Sequence, residues 1–195
     1  DSPDPDRLDS NCDGIDGQLA FAVLASPQGN DANPGDVHRP VSTLRRAVEI
    51  AIANGLTQIY LATGNYNVPT RIEVNGQQVP FQLPDGFGLY GGFEVDNAPG
   101  GAGLLVWTRP AIPRAETVLY ANHRGLLVAN LSRATTIQAV SIRAAEPPDD
   151  VRGSSIAILA RNVGAHLSLR DVNLRSSVAA HGLDGARDNG QEDLG

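Results

Sequence analysis

The spacing of apolar positions changes character once along the chain. Residues 20–27, AFAVLASP, form a short apolar run that predicts a strand. The stretch QGNDANPGDVHRP follows, dense in the turn formers Gly29, Asn30, Asp31, Asn33, Pro34 and Gly35. A helical pattern comes next. Leu44, Ala47, Val48 and Ala51 fall at i, i+3, i+4 and i+7 and make one apolar face, with Arg45, Arg46 and Glu49 off it. Pro40 and Ser42 open this helix and Gly55 closes it. Beyond Gly55 short apolar runs take over: 58–63, 71–74, 81–83, 87–90, 117–120 and 125–130, each bounded by turn signals. Residues 96–116 read as a loose loop holding three Pro and three Gly, with Trp107 as its large aromatic anchor.

An internal repeat organises the C-terminal third. A shift of 32 residues superposes Leu126 and Leu127 on Ile158 and Leu159, and Asn130 on Asn162. The same shift carries Ile137, Val140, Ile142 and Arg143 onto Leu169, Val172, Leu174 and Arg175. IQAVSI and LRDVNL share the pattern apolar-x-x-apolar-x-apolar. The two-residue spacer breaks strict alternation, so the chain bends there while apolar side chains stay inward. Two such copies predict a solenoid with stacked rungs, and residues 146–153 a loop bulging from one of them. Asn130 and Asn162 then stack as an inward hydrogen-bonding ladder at equivalent bends. The helix can cap the N-terminal end. Residues 183–195 are too polar to cap the other, so the chain continues or another surface covers that edge.

Composition narrows the chemistry. The 195 residues leave room for one domain plus a short appendage, and 21 Gly with 13 Pro favour turns over long helices. All 15 basic residues are arginine, which excludes a lysine base, Schiff base or phosphate-loop lysine. A net charge of −7 without clustered cations argues against a nucleic-acid partner. No apolar run reaches the roughly 18 residues a membrane span requires. The lone Cys12 has no internal disulfide partner.

The segment 26–51 carries Gly29, Asp31, Asn33, Pro34 and Gly35, then Pro40, Thr43, Leu44 and Ala47. With the turn at 63–66 and LPDGFGLYGGF at 83–93, it resembles right-handed parallel β-helix proteins of the pectin lyase-like superfamily. The resemblance covers roughly 20–185. It implies a fold rather than one activity, since that superfamily includes lyases, hydrolases, adhesins and structural surface proteins. The segment LDSNCDGIDG resembles aspartate-rich repeats beside such domains in secreted or surface proteins of bacteria. It implies an extracellular or cell-surface setting.

Residues 1–19 therefore read as an Asp-rich calcium-binding segment and 20–195 as the β-helix domain. Asp9-x-Asn11-x-Asp13-Gly14 alternates oxygen ligands before a glycine bend, the start of a calcium (Ca2+) loop. The Ile15 carbonyl and Asp16, or the upstream Asp6, would complete it. Ala20 stands where a full EF-hand places its bidentate Glu, so the site is closer to the short repeats. A carbohydrate-cleaving groove would draw on Asp171, Arg143 and Arg175; otherwise these are a turn residue and solvated exterior arginines. Asp149 and Asp150 adjoin in a loop where their side chains diverge. His38, His123, His166 and His181 are scattered, and Ser154-Ser155 lack a nucleophile elbow.

The fold expected is all-β, a right-handed parallel β-helix with an N-terminal capping α-helix; the repeat and the lone early helix argue against a β-sandwich. Its core would be Ile59, Leu61, Leu89, Leu119, Leu127, Ile137, Val140, Ile142, Ile158, Leu169, Val172 and Leu174. The function expected is a secreted or cell-surface module, non-enzymatic and calcium-stabilised. Its partners would be extracellular glycans or other protein chains, including self-stacking through the C-terminal edge. The alternative is a polysaccharide lyase or glycoside hydrolase.

Overall fold

A computed structural model describes residues 3–4, 7–12, 15–98, 104–148 and 153–179. The chain runs through β1 (Ala22–Ala25), α1 (Leu44–Asn54), β2 (Gln58–Ala62) and β3 (Gly64–Asn67). It continues through β4 (Arg71–Val74), β5 (Gln77–Pro80), β6 (Gly88–Asn97), β7 (Leu105–Thr108) and β8 (Thr117–Ala121). The last elements are β9 (Leu126–Ala129), β10 (Thr135–Gln138), β11 (Ser141–Ala144), β12 (Ile158–Arg161), β13 (Leu167–Arg170) and β14 (Asn173–Arg175). Among the described residues strands dominate, with α1 the single α-helix. No described helix is long and apolar enough to cross a membrane.

Three parallel sheets take these strands in rotation. The first has the order β1-β2-β6-β10-β13 and the second β14-β11-β8-β3. The third pairs β9 with β12 and reaches Leu83 through a parallel bridge to Val128. The 32-residue repeat is this pairing seen in sequence: Leu126 stands beside Ile158, Ile137 beside Leu169 and Ile142 beside Leu174. Like residues recur because each must cover the same side chain on the pass before it.

Between the sheets lies the main core. Val23, Ile59, Leu89 and Ile137 stack in register along the first sheet, essentially without exposure. Tyr66, Leu119 and Ile142 do so along the second. Burial pushes the Tyr66 phenol pKa upward, and its hydroxyl lies 3.0 Å from both the Ala25 and Ala62 carbonyl oxygens. Helix α1 closes the end beside β1. Leu44, Ala47, Val48, Ile50 and Ala51 are buried, and Gly55 ends the helix at φ 68°.

Several expected core positions are less than fully buried. Leu127 is half-buried on the outer face of β9, because Leu126 and Val128 point inward. The run Leu-Leu-Val offers both phases, and the fold takes the other one. Ile158 and Val172 are half-buried against the core. Leu169 and Leu174 are 42% and 46% exposed, because β13 and β14 end their sheets among the described residues. The expected loop 96–116 holds a strand: β6 extends to Asn97 and β7 returns antiparallel to it.

A second apolar cluster covers the opposite face of the first sheet. Leu24, Tyr60 and Tyr90 stand in register there, with Phe93 and Trp107. Tyr60 stacks on Phe93 at 5.0 Å, and Trp107 meets Phe93 edge-on at 6.3 Å. The acidic N-terminal segment lies over this cluster. Ile15 is 2% exposed within it, and the Gln18 N–H donates to the Tyr60 hydroxyl at 2.7 Å.

Candidate functional site

The N-terminal loop is tied to the domain by a buried ion pair. Asp16 Oδ2 accepts from Arg109 Nη1 at 2.8 Å, with both side chains essentially inaccessible. Arg109 also donates to the Gly91 and Asp4 carbonyls and lies 5.2 Å from the Phe93 ring centre. Of the other expected calcium ligands, Asn11 donates its amide to the Gly17 carbonyl at 3.0 Å, and Ile15 buries its side chain. Asp9 lines a cleft of about 340 Å³ with Asp16 and Arg109. Asp6 and Asp13 lie outside the described residues. Among the described residues no three His, Cys, Asp or Glu side chains are grouped to hold a metal ion.

Arg143 and Arg175 are in-register neighbours, as the repeat predicts. Arg143 pairs with Glu116 at 3.1 Å, lies 6.0 Å from the Tyr120 ring centre and opens onto a cleft of about 530 Å³. Asp171 sits at the bend before β14 with φ 52°, lining a different cleft of about 250 Å³ beside Glu116, Ser141 and Asn173. Asp171 and Arg143, two of the three residues proposed for one groove, thus line different clefts. Asn130 and Asn162 do form a ladder, with Nδ2 of Asn162 donating to Oδ1 of Asn130 at 3.1 Å. Both are exposed, so the ladder decorates an outer bend at φ 56° and 50° instead of facing inward. Ser155 accepts from the Ser177 N–H and donates to the Ala145 carbonyl, anchoring the inserted loop. Asp149, Asp150 and His181 lie outside the described residues.

The motif before the helix has a structural task. Asp31 accepts four hydrogen bonds, from the backbone N–H and hydroxyl of both Ser42 and Thr43, and so fixes the first turn of α1. Burial raises its pKa, but these donors outweigh it and hold the carboxyl below the ordinary value. The Asn33 amide donates to the Pro40 carbonyl at 2.9 Å. Gly29 allows the chain to close: a Cβ there would stand 2.4 Å from the Val41 carbonyl oxygen.

This loop forms one wall of a polar cleft of about 490 Å³, and the β6–β7 hairpin, from Glu94 to the Asn97–Leu105 pair, forms the other. Gln28, Asn33 and His38 face it from the loop, Thr63 from the end of β2, and Glu94, Asp96 and Asn97 from β6. Glu94 and Asp96 alternate along one strand, so both point to the same side. Arg114 bridges them, donating to Glu94 through its backbone N–H and Nε and to Asp96 through Nη2. Both carboxylates hold the Arg114 pKa above its usual value, Asp96 most. His38 Nδ1 accepts from the Leu105 N–H at 3.4 Å. The cleft thus offers amides, a hydroxyl and paired carboxylates within one concavity. Sequence reasoning missed it because the strand was expected to end near residue 90. The alternation FEVD at 93–96 was the available signal.

A family described as a protein of unknown function, DUF1565, matches residues 27–182, most of the chain and nearly all of the sheet region. No curated protein and no solved structure matches.

Proposed function

The chain belongs to the DUF1565 family, and on that premise we propose a surface-displayed β-helix module that contacts glycans through the polar cleft. The observation that carries the reading is the lining of that cleft. Planar amides from Gln28, Asn33 and Asn97 and a carboxylate from Asp96 converge with the Thr63 hydroxyl. Neighbouring sugar hydroxyls are both donors and acceptors, and planar two-headed groups satisfy them in pairs. Strand rotation through three parallel sheets supports the finer reading of a right-handed parallel β-helix of the pectin lyase-like kind. The acidic loop is proposed to bind calcium through Asp9, Asn11, Asp13 and the Ile15 carbonyl, with Asp16 assigned to Arg109 instead. A weak calcium site of this kind would suit a calcium-rich extracellular setting, which is the setting proposed.

A panel of neutral and acidic polysaccharides, titrated calorimetrically with and without calcium, tests the reading. Asp96→Ala and Asn97→Ala should each weaken binding about fivefold to twentyfold, the loss of one or two hydrogen bonds. A panel with no binder, or variants that bind as wild type, would remove the cleft from the proposal.

The paired carboxylates Glu94 and Asp96 favour one second reading, a glycoside hydrolase acting at the same cleft. New reducing ends from a bound polysaccharide, abolished in Glu94→Gln, would establish it. Binding without turnover would leave the module reading in place.

A further inference from the structure

A second concavity has the opposite chemistry and lies at another corner of the fold. It is a groove of about 690 Å³ on the outer face of the third sheet. The β4–β5 hairpin supplies one wall, with Phe81 at its foot; the end of the inserted loop, at Ile156, supplies another. Leu127 and Leu159 are in-register neighbours and form its floor, because Leu126 and Val128 have taken the inward positions. Arg161 follows two residues after Leu159 and shares its outer face. Arg124 stands at the turn leading into β9. Among the described residues no aspartate or glutamate lines the groove. Neither guanidinium has a salt-bridge or hydrogen-bond partner among the described residues; Arg124 is held only through its backbone N–H, which donates to Asn122 Oδ1 at 2.8 Å.

What marks the groove is that both guanidiniums flank one apolar floor, on a chain whose net charge is −7. Their field reaches a partner only within about a Debye length, so it selects an anion that comes into contact. The floor selects further. Leucine methyls offer nothing to sugar hydroxyls and suit apolar side chains. The four residues of β12 span roughly 13 Å, the length of a short extended peptide laid along the strand. We propose that this groove docks an acidic peptide segment of a partner protein, its apolar side chains on Leu127 and Leu159 and its carboxylates on Arg124 and Arg161. This site is independent of the glycan cleft.

The test uses the full chain and a fluorescein-labelled heptapeptide with two aspartates at each end and three apolar residues between, followed by anisotropy. Binding should weaken at least tenfold in the double variant Arg124→Ala/Arg161→Ala and about threefold to tenfold in Leu159→Gln. It should also fall about tenfold between 50 and 500 mM salt. Replacing the peptide aspartates by lysines should abolish it. All three substituted positions are half-buried or exposed, so melting temperatures should remain at the wild-type value and certify the fold. Unchanged affinity in the double arginine variant would overturn the proposal. So would a peptide that fails to bind while dodecanedioate or polygalacturonate does, since the groove would then take a simple amphiphile or an acidic glycan.

Discussion

Removing the charge of Asp16 should loosen the whole N-terminal segment. Arg109 is fully inaccessible and its partner nearly so, at 0% and 2% of side-chain surface. In Asp16→Asn the shape is retained and the acceptor for the Asp4 N–H survives, but a guanidinium is left buried without its counter-charge. Breaking a buried pair from one side typically costs about 3–5 kcal/mol. For a chain of 195 residues each kcal/mol lowers the melting temperature by about 2–4 °C, so the expected fall is about 6–20 °C. The double variant Asp16→Leu/Arg109→Met removes both charges. It still strips a donor from the Gly91 carbonyl, which costs about 1–3 kcal/mol, so it should lie between wild type and the single variant. Thermal unfolding followed by tryptophan fluorescence suits the assay, because Trp107 sits in the cluster beneath the segment. A shift under about 3 °C in Asp16→Asn, or a double variant no better than the single, would refute the account of a buried pair.

Two further expectations concern other parts of the fold. Asp85 accepts hydrogen bonds from the Ser132 hydroxyl and from the Ser132 and Arg133 backbones, the hydroxyl bond being the largest influence, and its pKa is lowered from 3.8 to about 2. Its contribution is complete above the ordinary value and is lost as pH falls from about 4 through 2, so urea midpoints should decline across that window and decline less in Asp85→Asn. Ile137 and Leu169 are register partners of unequal burial, at 0% and 42% exposure. Ile137→Ala should cost about 2–5 kcal/mol and Leu169→Ala clearly less, by chemical denaturation; equal losses would mean that β13 is covered in solution.

What was legible in the sequence follows what repeats and what is periodic. The register Ile137–Leu169 and Ile142–Leu174 could be read because stacking imposes the same residue type 32 positions on. The helix was legible because Leu44, Ala47, Val48 and Ala51 return every turn. Where either signal weakens, the reading weakens with it. Leu126 and Leu127 are chemically alike, so nothing in the run said which one faces inward. Between β6 and β7 the sequence at 99–103 is rich in Gly and Pro, a composition that hid the pairing of Val95 with Trp107. Residues 1–19 read as a segment apart from the β-helix domain because their buried contribution rests on Ile15 and Asp16 amid polar neighbours. The polar cleft draws on positions from 26 to 114, joined only by folding, so no local spacing announces it.

That division between inward and outward positions also explains where the two concavities arise. A residue such as Ile137 must match the strands on both sides, Leu89 before it and Leu169 after it. A corner carries no such constraint, and chain can be added there without disturbing the stack. The additions are unequal: β10 and β11 are joined by two residues, whereas residues 98–116 separate β6 from β8 and residues 145–157 separate β11 from β12. The first insertion brings Arg114 to Glu94 and Asp96; the second walls the arginine groove with Ile156. Because the described residues of the two insertions line separate clefts, their ligands should bind additively. Saturating the polar cleft with a glycan should leave the peptide affinity of the Arg124–Arg161 groove within about twofold, as expected for sites without a shared two-state element. A larger shift measured in the same anisotropy assay would mean that the stacked core transmits strain between its corners.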